Sequence, residues 1–515
     1  NGNTIPQTVK RIEKKRSFYL PMKLGNILGV SAGFHDAGVS VVDSRGNILF
    51  AAHSERYSRV KNDANLNQGI IDEALSHGEI ARVAWYETPW LKKTRQIYSG
   101  EFRKAFTDKS PKQHLSEVGV NRPIQYHRHH LSHAAAGFQT SPYERAIVVV
   151  VDAIGEWDTY SAYRAEYDNR GKAQYTRIMS QRYPHSLGLF YSAMTQRVGL
   201  KPMEEEYILM GMSAYGNPGK YREVYDEFVC EDYEQTWTQN FHAGMDPEFL
   251  KDAPAEDLAI AGQLVVERCL TTLMRQLAEG NPDIDDCVFM GGVALNCVAN
   301  AQIRSIWNRL WIMPNPGDCG SSLGAAALTY GKKLNWQGPY LGTNIPGDYP
   351  CEELVSELIE NKIVGVASGR AEFGPRALGN RSLLADPRGD DIKDRVNEIK
   401  RRQKFRPFAP MILEEHAHDY FDMPKFDNQP YMQSVYECKF PKEFPAIVHA
   451  DGTSRVQTVG KADKTGARQL LEMWYVMTDC PIILNTSLNI RGEPVVNNRA
   501  DADRFQQRYN VKVCS

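Results

Sequence analysis

Apolar runs separated by short polar turns occur in the same order at two places along the chain. In residues 26–43 an apolar run (ILGVSAG) leads into a turn at Phe34, His35 and Asp36, and a second apolar run (GVSVVD) follows. Residues 145–166 repeat this order with AIVVVVD, a turn that contains Gly155, and YSAYRAE. Such runs predict buried strands joined by hairpin turns. The sequence therefore predicts two copies of one strand–turn–strand unit.

A hairpin of this kind suits the binding of phosphate. Backbone N–H groups at its tip can face a phosphate, and an aspartate there can hold a phosphate-bound cation. We therefore expect Asp36 and Gly155, at the two tips, to face a ligand. Two copies about half a domain apart predict a duplicated nucleotide-binding core of the actin, hexokinase and Hsp70 kind, and an α/β fold class.

Two glycine-rich segments extend this core. In residues 287–300 (CVFMGGVALNCVAN) a strand enters Gly291 and Gly292 and a helix leaves, so the backbone can approach a ligand closely. We expect both glycines and Asn296 to contact a nucleotide. Residues 314–328 form a Gly/Pro turn that leads into an Ala-rich helix.

A change of composition marks the predicted domain boundary. Between about residues 332 and 351 the chain is rich in Gly, Pro, Asn and Tyr without periodicity. We predict a larger domain over residues 22–340 and a second domain over residues 350–515. Residues 1–21 are basic at their centre and precede Met22, so we interpret them as a leader or a remnant outside the fold.

A histidine pair carries the first chemical signal. In YHRHHLSHAAAGF, His129 and His133 are four residues apart and the Ala run favours a helix, so both imidazoles project from one face. This spacing suits a metal ion, although two packing histidines would give it as well. Asp152 at a strand end and Asp318 in a Gly-flanked turn add two carboxylates. Such a ligand set suits Fe(II), Zn(II) or Mn(II), whose preferences overlap.

Cationic residues carry the second signal, in the C-terminal part. Arginine binds phosphate through two parallel N–H bonds, so arginines fixed beside Gly or Pro predict a polyanion site. The candidates of this kind are Arg376, Arg381, Arg406 and Arg455, with Asn485 and Ser487 as neutral donors. The run that contains Arg401, Arg402 and Lys404 is interpreted as a solvated face.

Composition narrows the class of protein. A length of 515 residues predicts two or three domains, and 42% hydrophobic with 24% charged residues is typical of globular proteins. The net charge of −2 argues against polymeric nucleic acid as a partner. Nine cysteines without a C-x-x-C pair predict reduced thiols and a cytoplasmic location. No apolar run approaches the length of a membrane helix, so we expect no membrane partner.

Five strings together resemble one family: HHLSHAAAG, VVDAIGEW, SLGLFYSAMT, FMGGVALN and GDCGSSLGAA. They are similar to the nodulation-protein and cephamycin-type O-carbamoyltransferases, to which tobramycin O-carbamoyltransferase belongs. The resemblance implies an actin-like, ASKHA-type domain similar to tRNA threonylcarbamoyl transferases and carrying iron. It also implies a C-terminal α/β domain similar to YrdC-type carbamoyl-adenylate synthases.

The resemblance also implies roles for single residues. It implies that His129, His133, Asp152 and Asp318 bind Fe(II) or another divalent metal. His35 matches a position that assists the acceptor hydroxyl, and a neutral imidazole could take its proton, although an ordinary turn residue fits the pattern too. The implied contacts with carbamoyl phosphate and with ATP–Mg(II) are Arg376, Lys400, Arg406, Arg455, Asn485 and Ser487, of which Lys400 and Arg455 are expected to be catalytic.

The implied activity is an ATP-dependent O-carbamoyl transfer. Carbamoyl phosphate and ATP would give carbamoyl-adenylate, and a hydroxyl of a small acceptor (a sugar, a natural product or a nucleotide) would take the carbamoyl group. A homodimer is also expected. The alternatives are a tRNA threonylcarbamoyladenosine-type enzyme, a non-catalytic actin-like nucleotide-binding protein and a sugar kinase. The chain departs from the family at His53–Tyr57, at Ile208, where a lysine is usual, and in its short C-terminal end.

Overall fold

The computed structural model describes residues 25–230, 236–425 and 427–515. Its first sheet has five strands. The interpretation of residues 1–21 as a leader therefore lies outside the described residues. The strands are β1 (Asn26–Ser31), β2 (Gly38–Val42), β3 (Ile48–His53), β4 (Ile80–Trp85) and β5 (Ile124–Tyr126), in the order β3-β2-β1-β4-β5. The first three are antiparallel, and β4 and β5 continue the sheet in parallel.

The second sheet repeats the first. Its strands are β6 (Arg145–Gly155), β7 (Asp158–Tyr167), β8 (Ala173–Arg182), β9 (Asp286–Met290) and β10 (Arg309–Trp311). The order β10-β9-β6-β7-β8 has the same antiparallel and parallel pairings as the first sheet. The predicted duplication is confirmed, and this pair of equivalent sheets is the actin-like arrangement.

Helices cover both sheets. Those of the duplicated part are α1 (Glu55–Ser58), α2 (Gln68–Ser76), α3 (Pro89–Tyr98), α4 (Phe102–Thr107), α5 (Pro111–Glu117), α6 (His129–Phe138), α7 (Leu187–Arg197), α8 (Glu206–Met212), α9 (Tyr221–Phe228), α10 (Ala255–Gly280), α11 (Cys297–Ile303) and α12 (Ser321–Tyr330). Helices α6 and α12 pack so closely that a Cβ on Gly324 would lie 1.7 Å from the Ser132 carbonyl oxygen. This contact fixes the start of α12 beside α6.

The C-terminal domain is built on a mixed sheet. After β11 (Tyr340–Ile345) come β12 (Ile363–Ala367), β13 (Gly369–Glu372), β14 (Arg381–Ala385), β15 (Ala409–Leu413), β16 (Tyr436–Glu437), β17 (Thr453–Ser454), β18 (Gln457–Val459), β19 (Ile482–Ser487) and β20 (Val513–Cys514). Six of them form the sheet β18-β15-β19-β14-β12-β20, and β11 pairs with β13. Its helices are α13 (Cys351–Asn361), α14 (Ile392–Ile399), α15 (Ala417–Tyr420), α16 (Ala467–Thr478) and α17 (Arg499–Tyr509). The expected α/β fold class, a duplicated actin-like domain followed by a second α/β domain, is confirmed.

Polar contacts join the two domains. The buried Arg56 donates to the carbonyl oxygen of Gly374 at 3.0 Å. The Tyr215 hydroxyl donates to the carbonyl oxygen of Phe405 at 2.8 Å. Arg304 also forms an ion pair with Asp427 across the boundary. The surface between the domains is therefore bonded through specific groups and is continuous with the sites described below.

The cysteines lie mostly in the interior of the protein. None of the nine cysteines, all of which the structure describes, forms a disulfide; eight are buried and Cys230 is half-buried. The reduced state of the thiols stays a prediction. Among the helices that the structure describes, none combines the length and the apolar character needed to cross a bilayer.

The buried His53 and the half-buried His127 predict a loss of stability in acid. Burial, with repulsion by Arg56, lowers the pKa of His53 to about 3, and burial lowers the pKa of His127 to about 4. In the unfolded chain both titrate near about pH 6.5. Because the folded pKa values are the lower ones, the unfolded chain takes up protons first. The free energy of unfolding should therefore decrease as the pH drops from about 6.5. Each histidine contributes up to about 1.4 kcal/mol per pH unit to this decrease.

Urea unfolding between about pH 7.5 and about pH 4.5 measures this slope. The variant His53→Gln should show a shallower slope, because glutamine takes up no proton in either state. Above about pH 7 the difference between the two proteins should be constant. An identical slope in both proteins over the whole range would contradict the assignment to His53.

Candidate active site

The four predicted metal ligands come together between the two halves of the actin-like domain. The two histidines lie at the start of α6, Asp152 in β6, and Asp318 in the turn before α12. One ligand atom from each lies within 4.8 Å of the others. His129 Nε2 is 3.2 Å from Asp152 Oδ2 and 3.3 Å from Asp318 Oδ1, and the two Nε2 atoms are 3.1 Å apart. We call these four residues the ligand cluster.

Hydrogen bonds outside the ligand cluster orient it for a cation. His133 Nδ1 lies 3.0 Å from the Pro316 carbonyl oxygen, which can only accept, so the Nδ1–H donates and the Nε2 lone pair faces the cluster. Two imidazole nitrogens and two carboxylate oxygens then converge on one point. This donor set fits a divalent transition-metal ion.

The charges of the ligand cluster are consistent with that fit. Burial raises the pKa of Asp152, but the adjacent imidazoles of His129 and His133 outweigh it and hold this pKa well below its usual range. Burial likewise lowers the pKa of His129, whereas Asp318 and Asp152 raise it well above its ordinary value. The two carboxylates thus favour positive charge at the centre of the cluster.

Glycines make room for the ligand cluster. Gly291 has a φ of +93°, and a Cβ there would lie 2.1 Å from the Val151 carbonyl oxygen. The next amide, of Gly292, donates to Asp152 Oδ1 at 3.3 Å. Gly155 packs on a ligand ring, since a Cβ there would lie 2.4 Å from His129 Cδ2. The predicted nucleotide contacts Gly155, Gly291 and Gly292 therefore all adjoin the ligand cluster.

Asn296 is engaged within the protein. Its Oδ1 accepts from the Ala299 amide at 3.0 Å and so caps α11, and its Nδ2 donates to Gln263 Oε1 at 2.9 Å. Both ends of the side-chain amide therefore have protein partners. In this arrangement the residue supports the turn after Gly292 and offers a ligand no free group of its own.

His35 and Asp36 form the tip of the β1–β2 hairpin. His35 Nε2 lies 2.9 Å from the Met203 carbonyl oxygen, so the Nε2–H donates and Nδ1 keeps a lone pair, 3.5 Å from Asp36 Oδ2. Burial lowers the pKa of His35, but Asp36 and Asp318 outweigh it and raise this pKa above its ordinary value. His35 therefore lies within electrostatic reach of the ligand cluster.

Five cationic side chains gather in the C-terminal domain at its boundary with the actin-like domain. We call this the cationic cluster, and its members are Arg376, Lys400, Arg402, Arg406 and Arg455. Burial, with repulsion from Arg455 and Arg406, lowers the pKa of Arg376 to about 9. Within the described ranges no salt bridge to a carboxylate neutralises any of the five. Such a group favours an anionic ligand.

The other predicted residues of this domain surround the cationic cluster. The Lys400 ammonium donates to Ser487 Oγ at 3.2 Å and to Asn489 Oδ1 at 3.1 Å. Asn485 lies behind it and donates to the Ala377 carbonyl oxygen at 3.2 Å. Lys400 and Ser487 therefore share one end of β19, and Asn485 supports the segment that carries Arg376.

Two arginines differ from the expectations for them. Arg402 is not on a solvated face. Its guanidinium lies 4.1 Å from the centre of the Phe408 ring and donates to Asn397 Oδ1 at 2.7 Å. Arg401 and Lys404, in contrast, are exposed as predicted. Arg381 lies outside the cationic cluster. Its five N–H groups all donate to carbonyl oxygens, those of Asn497, Ser368, Asn380, Thr343 and Gly369. In this arrangement it has no donor left for a ligand.

One short turn contacts both clusters. It runs over Gly292–Leu295, directly after β9. At its start the Gly292 amide donates to Asp152 of the ligand cluster, and at its end the Leu295 carbonyl oxygen accepts from Arg376 at 3.4 Å. The ligand cluster and the cationic cluster are therefore neighbours across the domain boundary.

Two functional candidates were missed by sequence reasoning. The Tyr207 ring of α8 lies under the Arg406 guanidinium at 4.8 Å, which brings the actin-like domain to the cationic cluster. The buried Glu156 accepts from the Thr88 amide at 2.5 Å and from the His129 amide at 3.4 Å. The string AIGEW places Glu156 beside Gly155, but only the fold shows that its carboxylate reaches the backbone amide of His129.

These features define a two-domain α/β protein with a His/Asp cluster in an actin-like domain and a neighbouring cluster of cationic side chains. The family model for the carbamoyltransferase N-terminus matches residues 92–327, and that for the carbamoyltransferase C-terminus matches residues 355–514. The chain belongs to the carbamoyltransferase family, whose members are enzymes that transfer carbamoyl groups.

Full-length relatives support this assignment. An uncharacterized protein of Synechocystis, sll1178, is 30% identical over 94% of this chain and 95% of its own. The nodulation protein NolO of Bradyrhizobium diazoefficiens is 31% identical over 73% of this chain and 75% of its own. Among solved structures, HypF of T. kodakarensis is 14% identical, and the alignment covers 59% of this chain and 47% of HypF. The TM-score of this pair is 0.36, so the structural likeness is distant.

Proposed function

We propose that the chain is an ATP-dependent O-carbamoyltransferase that makes carbamoyl-adenylate from carbamoyl phosphate and passes the carbamoyl group to a hydroxyl of a small acceptor. The observation that carries this proposal is that the cationic cluster lies next to the ligand cluster. Among the described residues, no carboxylate forms a salt bridge with the cationic cluster. Carbamoyl transfer alone needs one acyl donor. Two neighbouring centres suit an activation step followed by a transfer step.

The first step belongs to the cationic cluster. Water cleaves the phosphate from carbamoyl phosphate, the resulting carbamate oxygen attacks the α-phosphorus of ATP–Mg(II), and pyrophosphate leaves. Several phosphates must then share one site, and their mutual repulsion has to be offset. Arg376, Arg406 and Arg455 supply donors that can bind phosphate oxygens in pairs, and Lys400 supplies a further positive charge.

The second step belongs to the ligand cluster. The acceptor hydroxyl attacks the carbamoyl carbon, AMP leaves, and the carbamate ester of the acceptor is formed. The free lone pair on His35 Nδ1 is suited to take the hydroxyl proton, with Asp36 beside it to stabilise the resulting imidazolium. Fe(II) or another divalent ion in the ligand cluster would supply positive charge for the phosphate of the adenylate.

A product assay with the full chain tests the proposal. The purified protein is incubated with carbon-13-labelled carbamoyl phosphate, ATP, Mg(II) and a pool of hydroxyl-bearing small molecules. We expect AMP and pyrophosphate from ATP, and an acceptor whose mass has increased by one labelled carbamoyl group. Omission of carbamoyl phosphate should abolish both. Formation of ADP in place of AMP, or transfer without ATP, would refute the adenylate route.

A further inference from the structure

A cavity of about 350 Å³ lies beside the ligand cluster, and neither step above uses it. It opens between α3 and the tip of the β6–β7 hairpin. Its wall includes Trp90, Arg128, Glu156, Trp157, Asp158 and Arg182. The volume falls in the range of small-molecule sites, about 300–1,000 Å³. Its position and its chemistry together indicate what it binds.

The α3 wall comes from a segment that the duplicated fold does not need. In the first half, residues 86–123 connect β4 to β5 and contain α3, α4 and α5. In the second half, residues 291–308 make the equivalent connection from β9 to β10 with α11 as their α-helix. The two sheets have the same strand order, so the longer connection is an addition to the common core. Additions of this kind on a rigid scaffold are typical places for substrate recognition.

The cavity adjoins the metal ligands through single residues. Glu156 lines the cavity, and its Oε1 accepts from the amide of the ligand His129 at 3.4 Å. Arg128, on the same wall, directly precedes His129 in the chain, and Gly155 packs on the His129 ring. A molecule bound in the cavity is therefore held next to the proposed transfer centre.

Aromatic rings give the cavity flat apolar faces. Trp90 is 62% exposed, although a tryptophan of a folded domain usually buries most of its surface. The Trp157 indole Nε1–H donates to Thr94 Oγ1 at 3.1 Å, which fixes the ring against α3. Tyr98, which is 69% exposed, lies 5.3 Å from the Trp157 ring and extends the aromatic surface outward. Such fixed rings bind a partner that has an apolar face of its own.

The charged groups of the cavity compensate one another. Asp158 lies 3.3 Å from Arg177 and 3.6 Å from Arg182, and Arg128 lies 3.8 Å from Glu156. The four charged side chains that line the cavity, two arginines and two carboxylates, sum to zero, so they give a ligand with a net charge no electrostatic advantage. Hydroxyl groups, which both donate and accept, can bond to paired carboxylates and guanidiniums without changing their charge.

We propose that this cavity binds the acceptor of the carbamoyl group, and that the acceptor presents a neutral polyhydroxylated ring such as a sugar residue. The C–H face of the ring would pack on Trp90 and Trp157, and its hydroxyls would bond to the paired charges. The assignment as acceptor site rests on the function proposed above. Trp90 and Arg182 are then residues that determine acceptor specificity.

Binding in the absence of the carbamoyl donor tests the cavity directly. The full chain is titrated by calorimetry and tryptophan fluorescence with methyl glucoside, N-acetylglucosamine, glucosamine, glucuronate and the open-chain polyol sorbitol. We expect the neutral rings to bind more tightly than the charged rings and the open chain. The exposed Trp90→Ala and Arg182→Ala should each weaken binding of the neutral rings by about 10-fold, in line with the loss of a stacked aromatic or a hydrogen-bonded pair.

A matched variant and the product assay separate the two proposals. Phe106→Ala removes a 78% exposed ring of α4 that does not line the cavity, and it should bind like the wild type. If sugar binding depends on Trp90 but no AMP forms in any condition, the cavity remains a binding site and the proposed carbamoyl transfer is refuted. Carbamoylation with an acceptor KM that neither Trp90→Ala nor Arg182→Ala changes would refute the acceptor site. Tighter binding of glucosamine or glucuronate, or no binding of any ring up to millimolar concentration, would overturn the neutral-ring assignment.

Discussion

The variant His129→Ala is expected to lose carbamoyl transfer and to keep carbamoyl activation. Its imidazole lies 3.2–3.3 Å from both carboxylates of the ligand cluster, so its removal leaves one fewer ligand and a changed charge at that point. Loss of positive charge beside the phosphate that leaves in the transfer step should raise the activation free energy by several kcal/mol, which lowers the rate about 10³-fold. Pyrophosphate–ATP exchange, which reports the activation step, should stay near the wild-type rate. Carbamoylated acceptor should fall about 10³-fold.

A neighbouring histidine provides the control for this experiment. His127 is two residues away and bonds to Thr329 Oγ1 at 2.8 Å, outside the ligand cluster. The variant His127→Gln should retain transfer, and elemental analysis should find metal in it and a reduced content in His129→Ala. Loss of exchange and of transfer to the same extent in His129→Ala would contradict the division into two centres.

The variant Arg455→Ala is expected to have the opposite phenotype, with activation lost and the metal retained. Arg455 Nε is a buried donor without a hydrogen-bond partner in the described part of the chain, beside Arg376 and Arg406. A free donor of this kind suits a phosphate oxygen. Removal of an arginine that stabilises transferring phosphate groups costs about 10³-fold or more. Pyrophosphate–ATP exchange should fall by that factor, while metal content stays at the wild-type level.

Arg401→Ala is the matched control, because Arg401 is exposed and packs on Tyr509 away from the cationic cluster. It should keep wild-type exchange at low salt and at high salt. If Arg401→Ala and Arg455→Ala lose exchange equally, a diffuse positive surface is responsible and the specific site is refuted. An unchanged rate in Arg455→Ala would remove this residue from the activation step.

The sequence allowed the ligand cluster to be predicted because its signals are local. The spacing of His129 and His133 translates directly into one helix face, which places both rings on the same side of α6. Asp152 follows an apolar run, and apolar runs of that length form buried strands with functional residues at their ends. The repeated strand–turn–strand pattern likewise implied the second sheet, since each copy specifies its own hairpin.

The cationic cluster and the cavity depend on contacts between distant segments. Arg381 lies near Gly379 and Arg406 precedes Pro407 in the sequence, yet the first is saturated by carbonyl oxygens and the second lies over Tyr207 of the other domain. Arg402 stands in a charged run, and only the fold places Phe408 under it. Trp90 belongs to no motif and Trp157 ends the string VVDAIGEW, but their approach follows from the packing of α3 on the β6–β7 hairpin, which is distant in the sequence.

The distribution of the thiols has a practical consequence. Cys230 is the one half-buried cysteine, and the other eight are buried. A maleimide dye added to the native protein should therefore react preferentially at Cys230, close to the end of α9, without any cysteine being removed first. A second dye introduced by one engineered cysteine in the C-terminal domain would form a donor–acceptor pair. Single-molecule fluorescence could then follow the distance between the domains during a turnover.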